Sequence, residues 1–303
     1  MTAKTTLFYM IDLGKIEWQS VLLLASLKEF MDPEGVEIVA YAPGHRLPQI
    51  DARVIAAHER AGVEIRPLPE NDIFDGVYLQ GNKMLAAAAK RDGEMGVFLD
   101  TDILAPRPFH ISELVTPGHF SARYALASVW ANNPRQWGPV CDHFGIAPGH
   151  HARHARNGQC FYFNAGVVTF PEVSATGQRF GETWLDTALE IDHRMQVQRK
   201  RPWLDQIALA AAVARMDLPY TILDDNWNRS IPKTIHKHTD LSDARLIHYH
   251  GGRRPYTLRR FNMLDFCSAL IAKHSDFPDI MSMCMYFVEK YPDNDFRKDK
   301  QTG

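Results

Sequence analysis

Two carboxylates separated by one residue stand at the end of an apolar run. The run Met95–Leu99 has the length and composition of a buried strand, and Asp100 and Asp102 follow it. Side chains two residues apart on an extended backbone point to the same side. Two such oxygen donors can hold a divalent cation, which usually keeps coordination positions open for substrate phosphates. The motif therefore predicts a cation site, with a helix cap or a solvated turn as the alternative.

A second group of reactive residues occupies positions 248–256, near the carboxyl end of the chain. His248 is followed by a glycine turn that includes Gly251 and then by Arg254. An imidazole can bind a cation, a guanidinium can hold phosphate oxygens, and glycine lets a ligand approach the backbone closely. The stretch predicts a site that meets both a cation and phosphate, although each histidine taken singly is more often structural.

Two shorter motifs carry polar side chains into regular elements. Asn164 and Gly166 interrupt a strand pattern, and a glycine inside a strand often marks the close approach of a ligand or another backbone. Asp205 and Gln206 open a helix pattern. Taken alone, the first motif is better explained by a bulge, and an acid in the first turn of a helix explains the second through the helix dipole.

The elements that must position these residues alternate along the first hundred positions. Apolar patterning predicts strands over 5–11, 36–41, 63–67, 95–99, 161–170 and 245–249, and helices around 18–25 and over 50–61, 78–91, 178–192 and 203–216. This alternation predicts the α/β class, with a mostly parallel central sheet flanked by helices. Ligands of such sheets lie beyond the carboxyl ends of the strands, where Asp100 falls. The sequence predicts a long loop or flap over residues 128–158. It also predicts a catalytic domain over residues 1–260 and a helical extension, packed on that domain, over residues 261–303.

Composition excludes several classes of protein. The 303 residues are 45% hydrophobic and 23% charged, with a formal net charge of −2. The chain therefore lacks the excess of positive charge that would indicate binding to nucleic acid. The longest strongly apolar run, Val21–Ala25, is far shorter than the roughly 20 residues of a membrane span. No signal-peptide pattern opens the chain, so we expect a cytoplasmic protein without a transmembrane segment, for which peripheral membrane contact stays open.

The order of the four motifs resembles the family 8 glycosyltransferases. Asp-x-Asp, Asn-Ala-Gly, Asp-Gln and His-x-x-Gly-x-x-basic-Pro-aromatic follow one another as in that family, and the resemblance runs from Thr5 to Tyr256. It implies the GT-A fold, a Mn²⁺ or Mg²⁺ cofactor and a nucleotide-sugar donor, usually UDP-linked. It also implies transfer with retention at the anomeric carbon. Arg254 and Tyr256 depart from the lysine and tryptophan usual in the last motif.

Roles follow from the resemblance position by position. The metal ligands would be Asp100, Asp102 and His248, whereas His250 falls on a position that the family leaves variable. Residues on the donor's nucleotide side would be Lys83, Gly251 and Arg254, with Asp12 as a candidate for the base pocket. Asn164 and Asp205 match positions that touch the donor sugar, and Gln206 matches a residue near the reacting sugar carbon.

The predicted activity is transfer of a hexose from a nucleotide sugar to an acceptor hydroxyl. The acceptor could be a saccharide, a lipid-linked sugar or a protein side chain. A nucleotidyltransferase that makes sugar nucleotides is an alternative, but it would normally need a glycine-rich basic loop after the first strand, for which 12–15 is a poor substitute. A non-catalytic binder of nucleotide sugars is the third possibility. The sequence contains neither a dinucleotide-binding glycine fingerprint nor a P-loop.

Overall fold

Strands and helices alternate along the first hundred residues, as the apolar patterning predicts. The computed structural model describes residues 4–125, 130, 134–147, 162–230 and 243–250. The strands are β1 Thr5–Met10, β2 Val36–Pro43, β3 Glu64–Leu68, β4 Met95–Leu99, β5 Ile103–Leu104, β6 Phe120–Tyr124, β7 Phe163–Pro171, β8 Tyr220–Ile222, β9 Arg229–Ser230 and β10 Ile247–His248. The α-helices are α1 Lys15–Phe30, α2 Ala52–Arg60, α3 Gly81–Ala88, α4 Ile111–Leu114, α5 Pro134–Phe144, α6 Phe180–Arg194 and α7 Leu204–Arg215.

A seven-stranded sheet forms the centre of the molecule, in the order β3-β2-β1-β4-β7-β6-β8. The pairs β2–β3, β1–β2, β1–β4 and β6–β8 are parallel, and β7 runs antiparallel to both of its neighbours. The sheet is therefore mostly parallel, and the predicted α/β class is confirmed. The reversed β7 is the feature that the alternation of the first half did not predict.

Side-chain alternation along the central strands divides the core into two layers. On β1, Leu7 and Tyr9 face the layer that contains α1 and α2, whereas Phe8 faces the layer that contains α3, α6 and α7. Successive side chains of a strand point to opposite faces, so a strand buried on both sides must be apolar throughout. Gly181 lets α6 approach α3 closely, since a Cβ there would lie 1.8 Å from the carbonyl oxygen of Ala87.

The direction of β7 brings two sequence motifs to one edge of the sheet. Because β1 and β4 are parallel, their carboxyl ends meet at the same edge, and Asp100 leaves β4 there. Since β7 is antiparallel to β4, its amino end, with Asn164, lies at that edge as well. The backbone N–H of Asp100 donates to the carbonyl oxygen of Gly166 at 2.8 Å, which fixes the two motifs side by side.

A second, three-stranded sheet places the late histidine beside the acidic motif. Its order is β5-β10-β9, and His248 is the register partner of Ile103 across an antiparallel pair. The backbone N–H of Tyr249 also donates to the carbonyl oxygen of Asp102 at 3.0 Å. Two residues far apart in the sequence thus become neighbours through a short strand pairing.

The region predicted as a long loop contains a helix. Helix α5 lies inside residues 128–158, so this prediction is wrong for the described positions 134–144. Trp137, Val140 and Cys141 are buried at helical spacing. The sequence analysis did not recognise this spacing because prolines and glycines lie among these residues. Residues 261–303 lie outside the described ranges, so the domain boundary at 260 stays a prediction. Within the described ranges, no helix has the length and hydrophobicity needed to cross a bilayer.

His58 makes the stability of the fold depend on pH. Its ring on α2 is fully buried, and Nδ1 lies 2.8 Å from the carbonyl oxygen of Val54. Burial lowers the pKa of His58 from its usual 6.5 to about 4. Between these two pKa values, His58 is protonated in the unfolded chain but neutral in the folded chain. The free energy of unfolding therefore falls as the pH drops from 6.5 towards 4. Between pH 6.5 and 5 we expect a loss of about 2 kcal/mol from this group.

Urea unfolding at a series of pH values measures this loss. The variant His58→Gln removes the titrating ring, so its free energy of unfolding should fall less steeply over this pH range than that of the wild type. His143→Gln changes an exposed histidine on α5 and should follow the wild type. Equal slopes for the wild type and His58→Gln would show that the buried ring does not carry the effect.

Candidate active site

Lys83 connects two of the candidate carboxylates. Its ammonium on α3 lies 2.8 Å from Oδ1 of Asp100 and 3.3 Å from Oδ2 of Asp205. Burial alone would lower the pKa of Lys83, but the two carboxylates outweigh it and raise that pKa above its usual range. For Asp100, burial is the largest effect and raises the pKa despite the opposing charge of Lys83. Lys83 therefore holds the end of β4 and the start of α7 together with a fixed positive charge.

Tyr78 is a member of the site that the sequence analysis missed. Its hydroxyl accepts from the backbone N–H of Asp205 at 2.8 Å and donates to the carboxylate of Asp205 at 3.0 Å. Burial is the main cause that raises the pKa of Tyr78, and it keeps the phenol neutral. Asp205 is itself buried, in the first turn of α7. Tyr78 and Lys83 each bind one carboxylate oxygen of this aspartate and fix its orientation.

Asp102 and His248 lie beside each other across the small sheet. Nε2 of His248 lies 3.1 Å from Oδ1 of Asp102 and 4.0 Å from Oδ2 of Asp100. Burial disfavours the charged forms of both side chains, but the attraction between the carboxylate and the imidazolium outweighs this effect. The pKa of Asp102 is therefore lowered and the pKa of His248 is raised. The pair therefore places a carboxylate oxygen and an imidazole nitrogen where they can bind one ion.

A buried chain of hydrogen bonds sets which nitrogen of His248 carries the proton. The backbone N–H of Gly166 can only donate, and it donates to Oδ1 of Asn164 at 2.8 Å. The same oxygen accepts from Nδ2 of Asn228 at 2.8 Å. The other amide atom of Asn228, Oδ1, must then accept from Nδ1 of His248, 3.1 Å away. In the neutral ring this leaves the lone pair on Nε2, which faces Asp102 and suits a metal ligand.

Replacing Asn228 should weaken cation binding without removing any ligand. Asn228→Leu keeps the approximate size of a side chain that is 1% exposed, but it leaves the Nδ1 proton of His248 without its acceptor. Loss of such an outer partner typically lowers metal affinity by about 10- to 100-fold. Mn²⁺ titration followed by electron paramagnetic resonance, together with the melting temperature, separates this effect from unfolding. An unchanged Mn²⁺ affinity would contradict the assigned role.

His250 joins the pair on its solvent side. Among the described residues, Asp102, His248 and His250 each offer one ligand atom within 4.8 Å of the other two. The two imidazole rings lie 3.8 Å apart between centroids, with an angle of 33° between their planes. The sequence signal for His250 is its position two residues after His248 in the same motif.

The other predicted residues have the following positions. Asp12 lies at the end of β1 on the same edge of the sheet, where both carboxylate oxygens accept from Arg46 at 3.1 Å. Gln206 is partly buried beside Asp205 on α7. Gly251 and Arg254 lie outside the described residues, so their predicted contacts with a donor stay predictions. Nothing in the sequence pointed to Asn228, because its role depends on pairing β9 with β10.

The comparisons with known proteins show the class of protein. The α/β fold, with its mostly parallel central sheet and flanking helices, matches the GT-A glycosyltransferase fold of known structures. The chain belongs to the Rhodobacterales glycosyltransferase domain family, whose model matches residues 7–217. The predicted glycosyltransferase identity and GT-A fold are thus confirmed, and membership of family 8 stays a prediction.

Structures similar to this chain include those of two glycosyltransferases. The galactosyltransferase LgtC, in complex with donor and acceptor sugar analogues, is 16% identical, with 90% of this chain and 98% of that chain covered and a TM-score of 0.57. An active-site mutant of LgtC is 15% identical with the same coverage and a TM-score of 0.55. The bifunctional glycosyltransferase WbbM is 13% identical with a TM-score of 0.55, and the match covers 93% of this chain and 52% of WbbM. No curated protein matches the chain in sequence.

Proposed function

We propose that this chain is a metal-dependent, retaining glycosyltransferase of the family 8 type, which moves a hexose from a UDP-linked donor to an acceptor hydroxyl. The observation that carries the proposal is the meeting of Asp102 and His248 at 3.1 Å beside the carboxyl ends of the parallel strands. Ligands of such sheets bind at this edge. The similarity to a galactosyltransferase with donor and acceptor analogues supports the same assignment of the edge.

The residues present fit a divalent cation. Nε2 of His248 lies 3.1 Å from Oδ1 of Asp102 and 4.0 Å from Oδ2 of Asp100. Carboxylate and imidazole are ligands that Mn²⁺ and its neighbours accept. Asp100, Asp102 and His248 would hold the ion. Bound there, it would supply a Lewis acid that neutralises the charge growing on the departing diphosphate.

Lys83 contributes fixed positive charge to the same edge. Its side chain is 11% exposed and is held by two carboxylates, so it does not need to reorganise during the reaction. Preorganised charge in a partly dry site stabilises a developing negative charge more than the same charge in water. Lys83 would therefore favour departure of the phosphate, and Arg254 would add to this from the neighbouring motif.

Retention at the anomeric carbon needs either a covalent sugar intermediate or attack from the face of the leaving group. The carboxylate of Asp205 is 5% exposed and engaged by Lys83 and Tyr78, so it is a poor nucleophile, and the neighbouring Gln206 is an amide. Same-face attack is the better route. The bond from the anomeric carbon to phosphate oxygen breaks, the bond to the acceptor oxygen forms, and the acceptor's proton passes to the departing phosphate. Asp205 and Asn164 would hold the donor sugar.

A screen of UDP-sugars tests the activity directly. The purified chain is incubated with each UDP-hexose and Mn²⁺, with EDTA as the control, and released UDP is measured. Acceptor trials with saccharides, lipid-linked sugars and peptides follow for the donor that reacts, and NMR gives the anomeric configuration of the product. Tight binding of UDP and Mn²⁺ without turnover on any acceptor would favour a non-catalytic binder. Release of pyrophosphate from a nucleoside triphosphate and a sugar phosphate would favour a nucleotidyltransferase.

A further inference from the structure

We propose that His250 is a protein ligand of the same cation as Asp102 and His248, so that the ion is held by two imidazoles. The inference rests on the proposed function, since it concerns the cation of that site. It assigns a role to a residue that the family motif leaves variable. It also predicts the kind of metal that the protein selects.

The geometry of the three side chains carries the proposal. Their ligand atoms lie within 4.8 Å of one another, which is a separation that a single ion can bridge with small side-chain movements. The rings of His248 and His250 lie 3.8 Å apart between centroids. The two imidazoles and the carboxylate of Asp102 thus offer nitrogen and oxygen ligands from one small region, and imidazole is the commonest metal ligand among protein side chains.

The backbone holds His250 in an uncommon conformation. Its φ is +52°, in the left-handed region, which is unfavourable for a residue with a Cβ. Local strain of this kind persists where the surroundings fix it, and it concentrates at functional sites. Here the backbone N–H of Tyr249 donates to the carbonyl oxygen of Asp102 at 3.0 Å, and the ring of His250 lies 2.6 Å from the hydroxyl of Ser230. These contacts keep the second ring beside the first.

The ligand set differs in character from one dominated by carboxylates. Asp100 is bound to Lys83 at 2.8 Å, so part of its charge is already offset. Asp102 is then the carboxylate in closest contact with the two rings. Mg²⁺ prefers oxygen ligands and water, whereas imidazole suits Co²⁺, Zn²⁺ and, less strongly, Mn²⁺. We therefore expect the site to bind Co²⁺ and Mn²⁺ in preference to Mg²⁺, and we expect His250 to be one cause.

Pulsed electron paramagnetic resonance of bound Mn²⁺ counts the coordinated nitrogens. The full chain is loaded with Mn²⁺, with and without UDP, and compared with His250→Ala, His250→Gln and the surface control His143→Ala. The wild type and the control should show two imidazole nitrogens, and both His250 variants should show one. Co²⁺ titration should show affinity lowered about tenfold or more in the His250 variants, with the affinity for Mg²⁺ changed less than about twofold because Mg²⁺ favours oxygen.

Each outcome bears on the proposal. One bound nitrogen in the wild type, unchanged in His250→Ala, would overturn the role of His250 while leaving the proposed function intact. Absence of bound Mn²⁺ in every sample would overturn both the role of His250 and the metal dependence. Two nitrogens that fall to one in both variants, with folded chains by circular dichroism, would support the proposal even if the UDP-sugar screen found no donor.

Discussion

Asp102→Asn should abolish turnover while leaving the chain folded. Asparagine keeps the size of the side chain but removes the charged oxygen that lies 3.1 Å from Nε2 of His248. A bound metal contributes several kcal/mol to stabilising charge in the transition state, so loss of a ligand should lower kcat by about 1,000-fold or more. The measurement is UDP release with the best donor, at saturating Mn²⁺ and at a tenfold excess over that concentration.

A surface aspartate provides the matched control for this substitution. Asp142 is exposed on α5, so Asp142→Asn changes the same charge away from the site and should keep wild-type turnover. The melting temperature of Asp102→Asn should stay within a few degrees of the wild type because the replaced carboxylate is partly exposed and the amide can still hydrogen bond. Turnover within tenfold of the wild type would show that Asp102 is a capping residue and not a ligand.

The local part of the site could be predicted from the sequence. Asp100 and Asp102 follow a strand that is apolar on both faces, so their place at the carboxyl edge follows from the alternation of strands and helices alone. His248 likewise stands in a short strand with its own motif. The resemblance to a family supplied the pairing of His248 with the acidic motif, and His248 lies 3.1 Å from Asp102.

The parts that sequence did not predict depend on contacts between distant segments. In the sequence, Tyr78 is the first residue of the predicted helix 78–91, and only its contact with Asp205 reveals a polar role. Asn228 stands in a polar turn and acquires its role when β9 pairs with β10. The reversed direction of β7 also has no local signal, because a buried strand is apolar whichever way it runs.

Gly166→Ala should disable the site through steric displacement of a ligand. A Cβ at this position would lie 2.5 Å from Cε1 of His248, 2.7 Å from its Nδ1 and 2.9 Å from Oδ1 of Asn164. The strand cannot move away easily, because the carbonyl oxygen of Gly166 accepts from the backbone N–H of Asp100 at 2.8 Å. The imidazole must therefore leave its place. We expect kcat to fall by about 100- to 1,000-fold, as for partial loss of a metal ligand, and the free energy of unfolding to fall by about 1–3 kcal/mol.

A second glycine separates the steric effect from the general effect of alanine. Gly138 lies in α5, and a Cβ there would meet nothing within 4 Å, so Gly138→Ala should be neutral or stabilising by up to about 1 kcal/mol. Mn²⁺ affinity and kcat are measured for both variants, together with urea unfolding. Gly166→Ala should lose Mn²⁺ affinity along with turnover, since the added methyl group acts on the ring of His248. Wild-type Mn²⁺ affinity in Gly166→Ala would mean that the ring tolerates displacement, and that the absence of a side chain at this point in β7 does not serve the cation site.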